Sequence, residues 1–198
     1  MAEIDDIREQ AEAGDAAAQF QLAQWFDRGE QGLSVDYEKA FHWYKQAGEQ
    51  GHTEAQFAVG LLYNLGQGVD HDDVMAANWF LRAANAGLDD AQFNLGLMLY
   101  LGEGIGSNHE DAARWFTKAA EQGHTKAQFN LGVMFANGEG VQADAVETAK
   151  WWTLAAMQGH AGAAELLDSV REQLTADELR IVQESTASWY SKQSLVDH

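Results

Sequence analysis

The chain has 198 residues, of which 46% are apolar and 22% are charged, so it has enough apolar side chains to bury a core. It carries 31 acidic and 12 basic residues, for a formal net charge of −19. Such a charge repels phosphate groups and argues against nucleic acids and anionic lipid surfaces as partners. The chain contains no cysteine, which excludes disulfides, thiol nucleophiles and thiolate metal sites.

Neither a membrane span nor an export signal is recognisable in the sequence. No apolar run approaches the roughly 18–20 residues that a membrane span needs. Residues 1–6 are acidic, whereas a signal peptide begins with basic residues. These observations predict a cytoplasmic protein that does not bind membranes.

The tripeptide Ala-Gln-Phe recurs along the chain at nearly constant spacing. It begins at positions 18, 55, 91 and 127, and a tryptophan followed by a second aromatic residue begins at positions 43, 79, 115 and 151. The second marker repeats every 36 residues, while the first marker needs 37 residues between its first two copies. The first repeat therefore has one extra residue, in the stretch 29–36, and the period predicts a stack of similar structural units.

The predicted elements begin with a helical cap and continue as helix pairs. Residues 1–14 form the N-terminal cap helix, and the four repeats occupy 15–51, 52–87, 88–123 and 124–159. Residues 160–192 form a degenerate half-repeat followed by a C-terminal cap helix that ends near Tyr190, and residues 193–198 form a tail. The sequence thus predicts a single solenoid domain over 1–198.

Each repeat is predicted to contain two helices. In the second repeat, the apolar residues of 55–65 lie on one helical stripe, and Gly66 and Gly68 end the helix because glycine adopts left-handed conformations. The second helix begins after an N-cap residue. The four predicted caps are Asp36, Asp72, Asn108 and Asp144.

Two further patterns predict local contacts. Asp144 with Glu147, and Thr175 with Glu178, have the spacing of capping boxes. Glycines also recur in the middle of three first helices, where glycine costs about 1 kcal/mol relative to alanine. Their recurrence predicts that a neighbouring helix crosses closely at each. These glycines are Gly60, Gly96 and Gly132.

The consensus Ala-x-x-x-Leu-Gly-x-x-Tyr-x-x-Gly-x-Gly-Val-x-x-Asp-x-x-x-Ala-x-x-Trp-x-x-x-Ala-Ala-x-x-Gly resembles the Sel-one-like repeat, a relative of the tetratricopeptide repeat. The third repeat departs from it at Leu99, where the family usually has tyrosine, and mildly at Ile105 and Asn108. The third repeat matches it at Ala91, Leu95, Gly96, Gly102, Gly104, Ala112, Trp115, Ala119, Ala120 and Gly123.

This resemblance covers about residues 15–165. It implies a right-handed all-α solenoid of about four and a half helix pairs, and usually a bacterial adaptor or scaffold that binds proteins. In extracellular members a disulfide links the two helices of each pair. A chain without cysteine does not belong to that extracellular subgroup.

No motif predicts catalysis, a cofactor or a metal. His52, His124 and His160 share one repeat position, too far apart to bind one ion, and are interpreted as helix-start residues. His71 among the carboxylates of 70–73 is an alternative cation site whose spacing matches no EF-hand. The Gly-x-Gly stretches at 66–68, 102–104 and 138–140 follow helices rather than strands, unlike phosphate loops. The sequence therefore predicts a protein that is not an enzyme.

The resemblance also implies a binding face. In tetratricopeptide-repeat proteins the first helix of each repeat lines the concave surface. Matching residues 91–96 to that family places Phe93 and Asn94 on the concave surface. The alternative is that the phenylalanines pack between adjacent repeats. The predicted groove residues are Phe57, Leu61, Asn64, Phe93, Asn94, Leu97, Tyr100, Phe129 and Asn130.

These features predict a non-catalytic adaptor that binds a protein or peptide segment, with positive charge on the partner favoured by the acidity of the chain. One alternative is a regulatory, immunity or inhibitor protein that neutralises one basic partner. Others are an enzyme or metal-dependent protein, and structural self-association. The predicted oligomeric state is a monomer or weak homodimer.

Overall fold

A computed structural model describes residues 2–196 of the chain and the side chains of residues 4–193. Within this part the chain forms eleven α-helices and no strand, which confirms the predicted all-α fold. The helices are α1 (Ala2–Glu12), α2 (Ala16–Arg28), α3 (Tyr37–Glu49), α4 (Thr53–Leu65), α5 (Asp73–Asn85), α6 (Asp89–Leu101), α7 (His109–Glu121), α8 (Thr125–Asn137), α9 (Ala145–Met157), α10 (Ala161–Arg171) and α11 (Ala176–Val196).

The helices follow the predicted order of cap, helix pairs and cap. Each repeat contributes one pair, namely α2–α3, α4–α5, α6–α7 and α8–α9. The first pair is joined by the loop 29–36, one residue longer than the other three loops, so the extra residue lies in a loop. Helix α11 continues to Val196, into the stretch predicted as a tail. Residues 197 and 198 of that tail lie outside the described residues.

The helices cluster into two compact units. The first unit comprises the chain up to Ala91 together with Gly102–Gly106, and the second comprises Gln92–Leu101 together with the chain from Ser107 onward. Each unit has its own apolar core. The first core includes Leu22, Trp25, Tyr44, Val59 and Trp79. The second includes Phe116, Leu131, Met134, Trp151 and Leu154.

The second helix of every repeat begins at its predicted N-cap. Each cap side chain accepts a hydrogen bond from the backbone N–H three residues further on, and Asp144 also accepts one from the N–H two residues on. Replacing such a cap by alanine costs about 0.5–2 kcal/mol. The recurring Asp or Asn therefore fixes where each second helix starts.

The predicted capping box at α11 is complete. The backbone N–H of Glu178 donates to Thr175 Oγ1 at 3.3 Å, and the backbone N–H of Thr175 donates back to the Glu178 carboxylate at 2.8 Å. The hydrogen bond from the Thr175 hydroxyl, followed by the one from its N–H, lowers the pKa of Glu178.

The capping box predicted at α9 is wrong in its second half. Asp144 caps the helix, but the Glu147 carboxylate pairs with Lys150 Nζ at 2.9 Å and accepts from Trp151 Nε1 at 2.9 Å. The N–H of Asp144 already donates to the carbonyl of Phe135 at 3.0 Å. Glu147 is therefore free to take a charged donor, which forms a stronger hydrogen bond than a neutral one.

A neighbouring helix crosses closely at the mid-helix glycines, as predicted, and it places an aromatic ring over each of them. A Cβ added at Gly60 would come within 2.6 Å of Phe80 Cδ1 and Cε1, well inside van der Waals contact. In the same way, Gly96 lies under Phe116 and Gly132 under Trp152. The glycines thus let the two helices of a repeat approach closely.

The glutamine of each Ala-Gln-Phe tripeptide is buried, and three of the four bind the end of the preceding helix. Gln19, Gln56 and Gln128 donate through Nε2 to backbone carbonyls eight residues earlier, at 3.0–3.1 Å. In three repeats the glutamine Oε1 also accepts an amide N–H from a second glutamine. These donors are Gln50 to Gln19, Gln122 to Gln92 and Gln158 to Gln128, at 2.7–2.8 Å.

The second repeat lacks this second glutamine. Ala86 occupies its position, at the same place after the helix as Gln50 and Gln122 and with nearly the same backbone angles. The buried Gln56 Oε1 has no hydrogen-bond partner among the described residues.

We expect Ala86→Gln to stabilise the protein, because Ala86 is exposed and the new amide would donate to Gln56 Oε1. The expected gain is about 0.5–1.5 kcal/mol in the free energy of unfolding, the net value of one hydrogen bond. Urea unfolding followed by circular dichroism measures it. Ala86→Glu is the matched control, since its carboxylate has the same length but no N–H to donate. An equal gain from both variants would contradict the explanation.

Candidate functional site

All nine predicted groove residues are half-buried. Three of them lie in the first unit and six in the second. Phe93 and Asn94, the pair expected to be displayed to a partner, are therefore only partly accessible. The accessible face of the first helices is a mixture of aromatic, aliphatic and amide groups.

In the second unit, part of this face encloses a small cavity. It has a volume of about 130 Å³. Leu97, Tyr100 and Asn130 of the predicted groove line it, together with Leu101, Phe116, Val133 and Met134. Five of the seven lining residues are thus apolar, and the other two are Tyr100 and Asn130.

The phenylalanines of the tripeptide contact the histidines that begin the next repeat. Phe93 stacks on His124, with ring centroids 4.5 Å apart, and Phe129 stacks on His160 at 4.2 Å. Phe20 stacks on the equivalent histidine in the same way. One face of each of these rings therefore packs against the next repeat. This packing agrees with the alternative interpretation, in which the phenylalanines pack between adjacent repeats.

Asn64 and Tyr100 of the predicted groove bind neighbouring side chains within the fold. Asn64 Nδ2 donates to Asp73 Oδ1 at 3.2 Å. The Tyr100 hydroxyl donates to the Glu139 carboxylate at 2.7 Å, and its ring stacks on His109 with centroids 4.9 Å apart. The hydrogen bond to Glu139 raises the pKa of Tyr100.

The histidines act as N-caps of first helices, which confirms their interpretation as helix-start residues. The Nδ1 of His52, His124 and His160 accepts a hydrogen bond from the backbone N–H three residues further on, at 3.1–3.3 Å. This bond requires an unprotonated Nδ1. Sequence reasoning did not identify the imidazole as the capping group or its stacking on the phenylalanine, although both residues recur at constant spacing.

A second role of the Gly-x-Gly loops was also missed. The first glycine ends the helix, as predicted, with a positive φ at Gly66. The second glycine lies against the first turn of the preceding repeat's second helix. A Cβ at Gly68 would overlap the carbonyl of Tyr37, and one at Gly140 would overlap that of His109. The recurrence of this glycine was the available signal.

Neither a metal centre nor a membrane span emerges from the described part of the chain. In it, no group of three or more His, Asp or Glu side chains is arranged to hold a metal ion. His71, in the alternative cation site, lies 3.1 Å from the Asp73 carboxylate. None of the helices in that part combines the length and apolarity needed to cross a bilayer.

Known proteins share both the repeat and the fold. The structure of c5321, a protective antigen present in uropathogenic Escherichia coli strains, has a TM-score of 0.84 and 32% identity, over 96% of this chain and 41% of that one. A Sel1 repeat protein from Oxalobacter formigenes has a TM-score of 0.76 and 35% identity, over 84% of this chain and 48% of that one. The chain therefore spans less than half the length of either.

A more distant likeness, in fold alone, is to the immunity protein Pa5087 from Pseudomonas aeruginosa. Its TM-score is 0.50 at 20% identity, over 98% of this chain and 73% of that one. The Sel1 repeat model matches this chain four times, at residues 16–52, 53–88, 89–124 and 125–160. These matches confirm the resemblance and the all-α solenoid class, and the chain belongs to the Sel1 repeat family.

Proposed function

We propose that the chain is a non-catalytic interaction module that binds a protein or peptide segment on the exposed faces of its first helices. Sel1 repeat proteins typically mediate protein–protein interactions. The observation that carries the proposal is the cavity of about 130 Å³ lined by Leu97, Tyr100 and Asn130. The proposed contact residues are Phe57, Leu61, Asn64, Phe93, Asn94, Leu97, Tyr100, Phe129 and Asn130.

The cavity suits one apolar side chain of a bound segment. Apolar cavities of about 150 Å³ accept a benzene molecule, so the volume at Leu97 is adequate for an anchor of that kind. The Asn130 amide, at the cavity wall, offers a donor and an acceptor to the backbone of the segment. The hydrogen bond between Tyr100 and Glu139 holds the tyrosine before a partner arrives, which lowers the ordering cost of binding.

The charge of the chain favours a partner that carries positive charge. At −19, the chain attracts basic proteins over distances limited by the Debye length, about 8 Å at physiological salt. The regulatory alternative rests on the same observation, because a protein that neutralises a single basic partner also benefits from fast association. The two functions differ in the number and tightness of their partners.

The test is affinity capture from the lysate of the source organism with two variants of the chain. Leu97→Ser/Asn130→Ala changes the cavity, while Leu81→Ser/Asn78→Ala makes the same substitutions at exposed positions of α5. We expect the first variant to lose captured proteins and the second to retain them, since central contacts cost more than about 1 kcal/mol when truncated. Equal capture by both would contradict the proposed face.

The same experiment separates the adaptor from the regulatory alternative. Several partners of moderate affinity would support an adaptor. A single basic protein bound tightly at equal stoichiometry would support a neutralising role.

A further inference from the structure

The first unit has an apolar edge that the proposed binding face does not include. This loop edge consists of residues 28–39, 65–74 and 102–106, where first helices end and second helices begin. Among the described side chains of the first unit, six large apolar ones are exposed, and five of them lie on this edge. These five are Val35, Tyr37, Leu65, Val74 and Ile105.

Contacts between each loop and the first turn of the preceding second helix make this edge continuous. The loop 66–72 lies on the first turn of α3, because a Cβ at Gly68 would overlap the carbonyl of Tyr37. The loop 102–106 lies on the first turn of α5, because a Cβ at Gly104 would come within 2.5 Å of the carbonyl carbon of Asp73. Three successive repeats therefore present their loops side by side within one compact unit.

The exposure of these side chains is substantial. Leu65 is 60% exposed and Val74 is 51% exposed. Single apolar residues scattered over a surface are normal, whereas their concentration on one edge is typical of an interaction site.

The charges on the loop edge are acidic and partly unpaired. Its two basic residues are already paired within the edge, Lys39 with Asp36 at 2.7 Å and Arg28 with Glu30 at 3.8 Å. Three exposed carboxylates, one near each loop, form no ion pair with any residue that the structure describes. They are Glu38, Asp70 and Glu103.

We propose that the loop edge of the first unit docks a protein segment in which apolar side chains alternate with lysine or arginine. Apolar side chains of the segment cover Leu65, Val74 and Ile105, and its basic side chains pair with the three free carboxylates. A second copy of the chain fits less well, because an edge placed against its own symmetry mate would face carboxylate with carboxylate. An anionic lipid surface is repelled for the same reason.

The test selects random displayed peptides for binding to the full chain alone and then measures the affinity of the enriched peptides for edge variants. The apolar edge variant is Leu65→Ser/Val74→Ser/Ile105→Ser, and the charge variant is Glu38→Gln/Asp70→Asn/Glu103→Gln. The matched control is Met157→Ser/Leu166→Ser/Ile181→Ser, which changes three exposed apolar residues of the second unit. Circular dichroism checks that each variant keeps its helices.

We expect the selected peptides to be rich in lysine or arginine with apolar residues. Each edge variant should bind them about tenfold more weakly or worse, equivalent to about 1.4 kcal/mol, and the control should bind them as the unchanged chain does. The charge variant should also show a weaker dependence of affinity on salt. If the apolar variant loses its helices, the affinity of the charge variant alone tests the proposal. Its substitutions are confined to exposed carboxylates and should leave the fold unchanged.

Three results would overturn the proposal. They are the absence of enriched peptides, enrichment of peptides without basic residues, and unchanged affinity in the edge variants. Sedimentation that shows dimers lost in the edge variants would assign the edge to a second copy instead. If the peptides bind the cavity variant Leu97→Ser/Asn130→Ala as well as the unchanged chain, the edge acts independently of the first-helix face. The two proposals are therefore tested separately.

Discussion

Replacing Gly68 by alanine is expected to lower the free energy of unfolding by about 2–5 kcal/mol. A left-handed backbone costs a residue with a Cβ about 1–2 kcal/mol, and Gly68 has a φ of +68°. Overpacking adds about 1–3 kcal/mol, because the new Cβ would overlap the backbone of Tyr37 rather than a movable side chain. Urea unfolding followed by circular dichroism measures the loss.

Gly66→Ala is the matched control for this prediction, because it lies in the same loop. Its φ of +65° is nearly the same, but the atoms nearest to a Cβ there belong to His71, and the closest of them, its Cβ, is 3.3 Å away. The control should therefore lose only the backbone part, about 1–2 kcal/mol. If both variants lost the same amount, the contact between the loop and the first turn of α3 would contribute nothing.

The second large effect is expected at Gly60, in the middle of α4. Alanine improves helix propensity by about 1 kcal/mol, so a helix considered alone would gain stability from Gly60→Ala. We expect a net loss of up to about 2 kcal/mol instead, because the Cβ would come within 2.6 Å of the buried Phe80 ring and the overpacking cost of about 1–3 kcal/mol outweighs the propensity gain.

A double-mutant cycle tests the physical cause of that loss. Phe80→Leu removes the ring edge that Gly60→Ala would strike, so the combined variant should lose less than the two single variants added together. A coupling of about 0.5–3 kcal/mol is typical of residues in contact. Strictly additive losses would mean that the penalty comes from somewhere other than Phe80.

Contacts between neighbours in the sequence were predictable, whereas the side chains that meet between helices were not. Asp72 caps α5 through a backbone N–H three residues away, and that pattern is legible in any sequence. Gly60 could be predicted to lie under another helix because glycine is unfavourable there and recurs. The sequence does not say which side chain covers it, since Phe80 reaches it through the packing of two helices.

Glu147 illustrates a different limit of sequence reasoning. Its spacing from Asp144 satisfies the capping-box pattern, but Lys150 and Trp151 compete for its carboxylate. A pattern states which partners are available, while the energies of competing hydrogen bonds decide among them. The groove residues show the same limit, because Phe93 satisfies the concave-face pattern and yet also stacks on His124.

The glutamine and glycine contacts have a consequence for how such a chain can change in length. Gln19, Gln56 and Gln128 each bind the preceding helix through the same acceptor, a carbonyl eight residues before the glutamine. The loop glycines Gly68, Gly104 and Gly140 each lie against the first turn of the preceding repeat's second helix. If one whole repeat is duplicated or deleted, the repeats that become neighbours can therefore form the same two contacts. An insertion into a repeat that is not a whole number of repeats long would disrupt them. The loop 29–36 of the first repeat contains one added residue, and a Cβ at Gly32 in this loop would meet no atom within 4 Å. Such a chain can thus evolve by modular recombination, in which whole repeats are gained or lost.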